Sequence, residues 1–326
     1  MIKHKNVFGV DISKDYFDVV DSEGQHDQFT NNDAGFALFS TALPKRALVV
    51  MESTGYYHHR LAEFLVANKI KTSIMNPLPI KRFRQMKFSK IKNDRVDALM
   101  ICEYAKQNKV PLYKAKNKIT LQCRQLHRLS ELYQKQSNGL KTKLKGEISM
   151  GSPSPSVIRS LKRQLVVLAN EILTIEKELE VLINKRYPGQ MKLLEGIPGL
   201  GPKTSSYLIT ATEGFMKFDT AGQLCSFSGT TPTVRESGTS VRGKSRITKM
   251  GNPRIRSLLF LCSFSACKYN AACRELFNRI VEKGKSKKLA LLAVCNKLLR
   301  QAFAIVKNET PYSQSHHSKP AMPMMK

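Results

Sequence analysis

The chain has 326 residues, of which 54 are Lys or Arg and 25 are Asp or Glu, for a formal charge of +29 with 41% hydrophobic residues. That apolar share excludes a disordered or collagen-like chain, and at roughly 100 to 200 residues per domain the length predicts two domains, each able to hold a core. Such a charge repels itself unless a polyanion neutralises it, so nucleic acid is the expected partner and an anionic membrane surface the weaker one.

The charge is graded along the chain. Residues 1–110 carry a net +5, residues 111–190 a net +9 and residues 191–326 a net +15. Acid chemistry is therefore expected at the front and polyanion binding at the back. No stretch reaches the roughly 18 uncharged apolar residues of a spanning helix. The basic start, Met1 to Asn6, has neither the length nor the cleavage site of a signal peptide, which predicts a cytoplasmic protein with no membrane partner. The seven cysteines form no Cys-x-x-Cys pair and sit among apolar neighbours, as reduced core thiols do.

In chain order, Val7 to Val20, Ala47 to Met51 and Lys71 to Ile74 read as strands, and His58 to Asn68 and Asp94 to Gln107 as helices, so residues 1–112 form an α/β domain. In the middle, Leu161, Leu165, Leu168, Ile172, Ile175, Leu179 and Leu182 follow the a/d spacing of a heptad seam. A looser seam runs through Leu126, Leu129, Tyr133, Leu140 and Leu144. Between the two lies Met-Gly-Ser-Pro-Ser-Pro-Ser (150–156), which breaks any helix. Residues 113–187 are thus expected to be a coiled-coil hairpin, pairing internally or with another protomer. Residues 188–308 are expected to be a mostly helical domain. It opens with Ile-Pro-Gly-Leu-Gly-Pro-Lys-Thr (197–204), a helix-hairpin-helix-like turn whose backbone N–H groups and Lys203 suit a phosphate. Asn252-Pro253 is an N-cap and N1 pair that starts a further helix, and another is expected over Lys288 to Lys307. The tail, 309–326, with His316 and His317, reads as disordered.

Four acids of the first domain carry the chemistry. Asp11 interrupts an apolar strand, a costly position unless the carboxylate is paired or metal-bound, although a strand-end Asp can also merely cap a turn. Glu52 repeats the pattern at the end of Ala-Leu-Val-Val-Met. Asp94 and Asp97 lie one turn apart on one helical face, either as a solvated helix start or around a cation. Together they are the hard oxygen donors that Mg²⁺ takes, two ions being the usual number for phosphodiester chemistry. In the third segment, Arg235, Arg242, Lys244, Arg246, Lys249, Arg254 and Arg256 surround Glu-Ser-Gly-Thr-Ser-Val-Arg-Gly (236–243). The serines there either hydrogen-bond phosphates or attack one, and no His is near in sequence to serve a hydroxyl as base. The basic run Lys81 to Lys92, with Phe83 and Phe88 interleaved, suits either core packing or single-stranded nucleic acid. No Walker-type Gly-x-x-x-x-Gly-Lys-Ser/Thr is present, so no nucleotide cofactor is expected.

Val-Asp-Ile-Ser-Lys, Met-Glu-Ser-Thr-Gly-Tyr-Tyr, Met-Asn-Pro and Lys-Asn-Asp-Arg-Val-Asp-Ala, in this order, resemble the RuvC-like DEDD domain of one insertion-sequence transposase family. That family comprises the bridge-RNA-guided recombinases and their relatives, the Piv-type DNA invertases. The resemblance continues through Ile-Pro-Gly-Leu-Gly-Pro-Lys-Thr, Phe-Ser-Gly-Thr-Thr-Pro, Glu-Ser-Gly-Thr-Ser-Val-Arg-Gly and Lys-Met-Gly-Asn-Pro-Arg-Ile-Arg, leaving only the tail outside it. It implies an RNase H-like fold for residues 1–112. It also implies Mg²⁺ held by Asp11, Glu52, Asp94 and Asp97, and a serine that becomes covalently joined to double-stranded DNA. That serine is Ser237, with Ser240 as the alternative because Thr239 stands where Ser is more usual. A structured guide RNA, a homo-oligomer (dimer or tetramer) with a composite site and a bacterial, nucleoid-associated setting are implied as well. Four readings stay open: guided transposase, Piv-type invertase, hydrolytic RuvC-like junction nuclease, and non-enzymatic nucleic-acid scaffold.

Overall fold

The computed structural model describes residues 6–53, 55–88, 93–115, 117–233, 236–237, 241–242, 246–247 and 250–313, with side chains left undescribed over 232–246. The chain divides into two compact units, residues 1–116 and 117–326.

The first unit is a five-stranded sheet: β1 (Val7–Ile12), β2 (Tyr16–Val20), β3 (His26–Thr30), β4 (Leu48–Glu52) and β5 (Lys71–Met75). Its order is β3-β2-β1-β4-β5. The first three strands pair antiparallel, and β1, β4 and β5 run parallel. A mixed sheet of this kind, crossed by helices, is compatible with an RNase H-like domain. The single strand expected over Val7 to Val20 is instead a hairpin. Ser13 closes its turn, donating from both its N–H and its hydroxyl to the Tyr16 carbonyl, and an Asp or Ser side chain in reach of backbone competes with the extended chain. Strand β3 and helix α1 (Asp33–Ala42) had no counterpart in the sequence reading. β3 is mostly polar, with no run of β-branched residues, and its pairing with β2 is what makes it a strand.

Alternation along the strands puts two cores on the two faces. Val10, Ile12, Phe17, Val19, Val49 and Met51 pack with Phe36 and Phe39 of α1 and with Leu61, Ala62 and Leu65 of α2 (His58–Ala67). Val7, Leu48 and Val50 pack instead with Ile80 of α3 (Pro77–Met86) and with Ile101, Cys102 and Ala105 of α4 (Asp94–Gln107). Met-Asn-Pro has a local reason: the Asn76 side chain accepts from the Leu78 N–H and Pro77 begins α3, so the chain turns into a helix directly after β5.

In the second unit α5 (Lys118–Ser149) and α6 (Pro155–Arg186) pack along each other about a short connection, 150–154. The expected seams face inward: Ile175 and Leu179 are buried, and Leu161, Leu165, Leu168, Ile172 and Leu182 half-buried. Among the described residues six further helices form the body: α7 (Gln190–Glu195), α8 (Pro202–Thr212), α9 (Ala221–Ser228), α10 (Pro253–Tyr269), α11 (Ala271–Glu282) and α12 (Lys287–Asn308). They share one core with Ile175, Leu179 and Ile183 at the end of α6. By length and composition α12 could cross a membrane, but half of its apolar window is buried in this core. Between α9 and α10 the described residues form four strands, β6 (Pro232–Thr233), β7 (Glu236–Ser237), β8 (Val241–Arg242) and β9 (Arg246–Ile247), paired as β6 with β9 and β7 with β8. The tail beyond residue 313, with His316 and His317, lies outside the described residues.

All seven cysteines are free thiols and six are buried. Burial raises Cys102 and Cys123 to about 11 and Cys273 and Cys295 to about 12, which keeps them protonated and unreactive.

Candidate active site

Parity places the first two acids. Asp11 follows Val7 and Gly9 on the α4 face of β1, and Glu52 follows Leu48 and Val50 on the same face of β4. The parallel ladder pairs Val10 with Met51, so one residue further along it Asp11 and Glu52 stand side by side at the C-terminal ends of the two strands. Helix α4 brings the second pair. The Asn93 side chain accepts from the Val96 N–H at 2.8 Å, starting the helix one residue before Asp94, and both Asp94 and Asp97 fall in the first turn. Gly9 sets the approach. A Cβ there would lie 2.2 Å from the Ala98 carbonyl oxygen and 2.4 Å from the Cys102 nitrogen, so only glycine lets α4 lie this close to β1.

The cluster is electrostatically costly. Asp11 is raised to about 6, by burial first and then by the charges of Asp94 and Glu52. Glu52 is raised by burial as well, and Arg84 pulls it the other way. Arg84, in the last turn of α3, makes an ion pair with Asp97. Lys87 pairs with Glu103 at 3.3 Å, and Phe83 meets Tyr104 edge-on, so three contacts tie α3 to α4. Phe83 of the basic run is thus buried, whereas Phe88 is 88% exposed and residues 89–92 lie outside the described ones.

An all-oxygen donor set in which burial and then the charges of Asp94 and Glu52 raise Asp11 fits a hard divalent cation, which would relieve that repulsion. As the side chains stand, no three His, Cys, Asp or Glu among the described residues converge as a ready ligand set, and Arg84 takes one of the carboxylates. Arg84 escaped the sequence reading because it lay inside an undifferentiated basic run. Asp18 escaped it too: it is a buried acid in β2, paired in register with Asp11, carrying the lone-acid-in-a-strand signal that singled out Asp11.

The second unit holds the basic segment. Ser237 lies in β7, where it pairs with Val241, and Glu236 pairs with Arg242 of β8. Arg246 lies in β9 opposite Thr233. Arg235, Ser240, Lys244 and Lys249 lie outside the described residues. Three of the expected phosphate-binding cations have protein partners: Lys203 stands 3.8 Å from Glu176, Arg254 stands 2.6 Å from Glu131, and Arg256 donates to the Ser228 carbonyl at 2.9 Å. Arg254 and Lys203 thereby tie α10 and α8 to the helical hairpin. Between them His127 is buried against Tyr207, and desolvation lowers its pKa to about 4, so it is neutral. Asn252 caps α10, accepting from the Arg254 and Ile255 N–H groups. In the turn 197–204, Gly199 has φ +106°, and a Cβ there would meet Ala266 of α10 at 2.7 Å, so this part of the turn is packed inward.

Comparison with known proteins adds the family. Residues 8–148 match the DEDD transposase model of IS110 elements, and residues 191–278 match the model described as transposase IS116/IS110/IS902 family. The chain belongs to the IS110 transposase family. Pilin gene-inverting proteins of Moraxella bovis and Moraxella lacunata are each 27% identical over 96% of this chain and 99% of their own length. An uncharacterized 43.6 kDa protein of insertion element IS110 from Streptomyces coelicolor is 28% identical over 48% of this chain and 38% of its own. This IS110-family chain is thus related both to transposases and to DNA invertases, and its class of activity is DNA recombination.

Proposed function

We propose that the chain cuts and rejoins double-stranded DNA through a covalent serine intermediate, with Ser237 as nucleophile and Asp11, Glu52, Asp94 and Asp97 as the metal-holding carboxylates. The observation that carries this reading is the gathering of strand acids Asp11 and Glu52 under the first turn of α4, with Asp11 raised to about 6 by burial and then by the charges of Asp94 and Glu52. When bound there, Mg²⁺, as two ions, would supply charge neutralisation at the phosphate and help activate a hydroxyl.

The remaining roles belong to the chain's own residues. The Ser237 hydroxyl attacks phosphorus, the Oγ–P bond forms as the strand's P–O bond breaks, and the proton lost by serine is balanced by the one gained by the leaving DNA hydroxyl. Joining reverses these steps with a different DNA hydroxyl, so the number of phosphodiester links is conserved and no ATP is needed. Arg242 and Arg246, with Arg235, Lys244 and Lys249, neutralise the phosphate that Ser237 approaches. Lys203, Arg254 and Arg256 would reach DNA only by sharing or leaving their present protein partners. Ser237 is supplied to the carboxylates by another protomer of a dimer or tetramer, and the α5–α6 hairpin, as a coiled coil, is suited to bridge them. Part of the net +15 of residues 191–326 is available to a structured guide RNA.

A second reading has one observation in its favour. The pilin gene-inverting proteins align over nearly the full length of both chains, whereas the Streptomyces insertion-element protein aligns over 48% of this one. Inversion of a fixed segment uses the same residues, and sequencing of RNA co-purified with the protein separates the two: an abundant structured RNA supports the guided transposase, and none supports the invertase.

The chemistry is tested with a suicide DNA substrate, nicked so that the cut strand cannot rejoin. The expected result is a denaturation-resistant protein–DNA adduct, mapped by mass spectrometry to the peptide containing Ser237 and absent in Ser237→Ala. An adduct lost only in Ser240→Ala moves the nucleophile three residues on. Efficient cleavage with no adduct in any variant replaces the serine mechanism with the hydrolytic junction nuclease, and no metal-dependent cleavage at all leaves a nucleic-acid scaffold.

A further inference from the structure

Asp18 is the most deeply buried acid of the first unit, 7% exposed, and it stands opposite Asp11 in the β1–β2 ladder. Facing residues of an antiparallel pair project to the same side of the sheet. Phe17 and Val19 pack in the core beneath α1 and α2, so Asp18 projects with Asp11 to the α4 face. Its oxygens are firmly held. His26 Nε2 lies 2.7 Å from Oδ1, and the Gln28 amide donates to both oxygens at 3.3 and 3.4 Å. Both partners come from β3, on the side of β2 away from β1, so they orient the carboxylate without standing between it and Asp11.

Two like charges directly opposite in a ladder destabilise it, and burial raises the cost. A fold that only needed β2 here would place an apolar side chain opposite Asp11. The Asp18 charge also acts on Asp11 in the unfavourable direction, alongside Asp94 and Glu52. A cation at Asp11 turns this cost into a gain, since all four carboxylates then face a positive charge.

We infer that Asp18 is a fifth acidic residue of the cation site, a positioning residue held by His26 and Gln28 that faces Asp11 and strengthens ion binding there. The inference rests on the metal-holding role proposed for Asp11. Outer carboxylates of this kind typically change metal affinity by roughly 10- to 100-fold.

The test is Mn²⁺ binding to the full chain, with free Mn²⁺ counted by electron paramagnetic resonance, in wild type, Asp11→Asn, Asp18→Asn and the double variant, together with thermal unfolding in chelator. The expected result is Mn²⁺ binding that is lost in Asp11→Asn and weakened about tenfold or more in Asp18→Asn, with no loss of metal-free stability in Asp18→Asn. In the double variant the two effects on metal-free stability should be less than additive, because either change alone relieves the shared repulsion. If Asp18→Asn unfolds, His26→Gln, which keeps a donor to Asp18 but shifts it, serves in its place and should weaken Mn²⁺ binding severalfold. Unchanged Mn²⁺ affinity in Asp18→Asn, or in His26→Gln where that variant replaces it, overturns the inference while leaving the Asp11 site standing. Mn²⁺ binding absent from wild type, or indifferent to Asp11→Asn, overturns both.

Discussion

The carboxylate face of β1 and β4 and the serine strands β6 to β9 are built in opposite ways. Asp11 and Glu52 sit half-buried on a five-stranded sheet, with the helix that carries Asp94 and Asp97 pressed onto them through the gap that Gly9 leaves. Ser237 lies in β7, paired with Val241 of β8, in a stretch of sequence rich in Lys and Arg. An acid cluster repels itself and needs a stiff frame to stay assembled, and the frame is supplied by core packing on both faces of the sheet. In the function proposed above, the basic serine segment meets a polyanion whose charge its cations neutralise. For the site proposed above, the lesson is that the carboxylate half, which is costly to assemble, is the half that core packing holds in advance.

The sharpest way to break that comparison is to neutralise the acids. Asp11→Asn, Glu52→Gln, Asp94→Asn and Asp97→Asn remove charge without volume, and each should lower recombination by about a thousandfold or more, equivalent to roughly 4 kcal/mol in the barrier. Circular dichroism and DNA binding should stay close to wild type. Normal recombination in any two of them would remove the acids from the chemistry.

Next in size is the frame itself. Gly9→Ala puts a methyl group against the α4 backbone, and overpacking of this kind costs about 1 to 3 kcal/mol. Urea unfolding should show that loss together with weakened activity, whereas Gly201→Ala, whose Cβ meets nothing, should cost far less. Equal losses would mean that α4 is free to move off β1.

The pH dependence is a milder probe. Asp11 has its pKa raised from 3.8 to about 6, so the native chain binds this proton more tightly than the unfolded one. Its contribution to stability is therefore unfavourable above pH 6, and in chelator the chain should gain stability as pH falls from 7 through 6 toward 4. Asp11→Asn should flatten that part of the urea-midpoint profile, and an unchanged profile would assign the dependence to other groups.

The smallest effect separates the two sets of cations. Replacing Arg242 and Arg246 by Ala should flatten the slope of log affinity against log salt by roughly 2 if both meet duplex phosphates. Lys203 and Arg254 already have Glu176 and Glu131, so replacing that pair should change the slope less and thermal stability more. A larger slope change from Lys203 and Arg254 would show that these ion pairs open on DNA.

Much of this was legible from local chemistry. The four acids stood out because a lone carboxylate in an apolar strand, or two on one helix turn, is conspicuous against its neighbours. The α4 boundaries, the Asn-Pro helix start at Asn252 and the inward seams of α5 and α6 follow from capping and periodicity, which depend on residues a few positions apart; the same Asn-Pro signal at Asn76, which starts α3, went unused. The tertiary structure alone decided that Val7 to Val20 folds back on itself, that polar β3 is a strand, that Asp18 faces Asp11, and that Arg84 reaches Asp97 from another helix. It also decided that Lys203, Arg254 and Arg256 are engaged with partners 27, 123 and 28 residues away. Composition announces a charge, but which opposite charge satisfies it is settled by strand register and helix packing, and those bring together residues that no spacing rule connects.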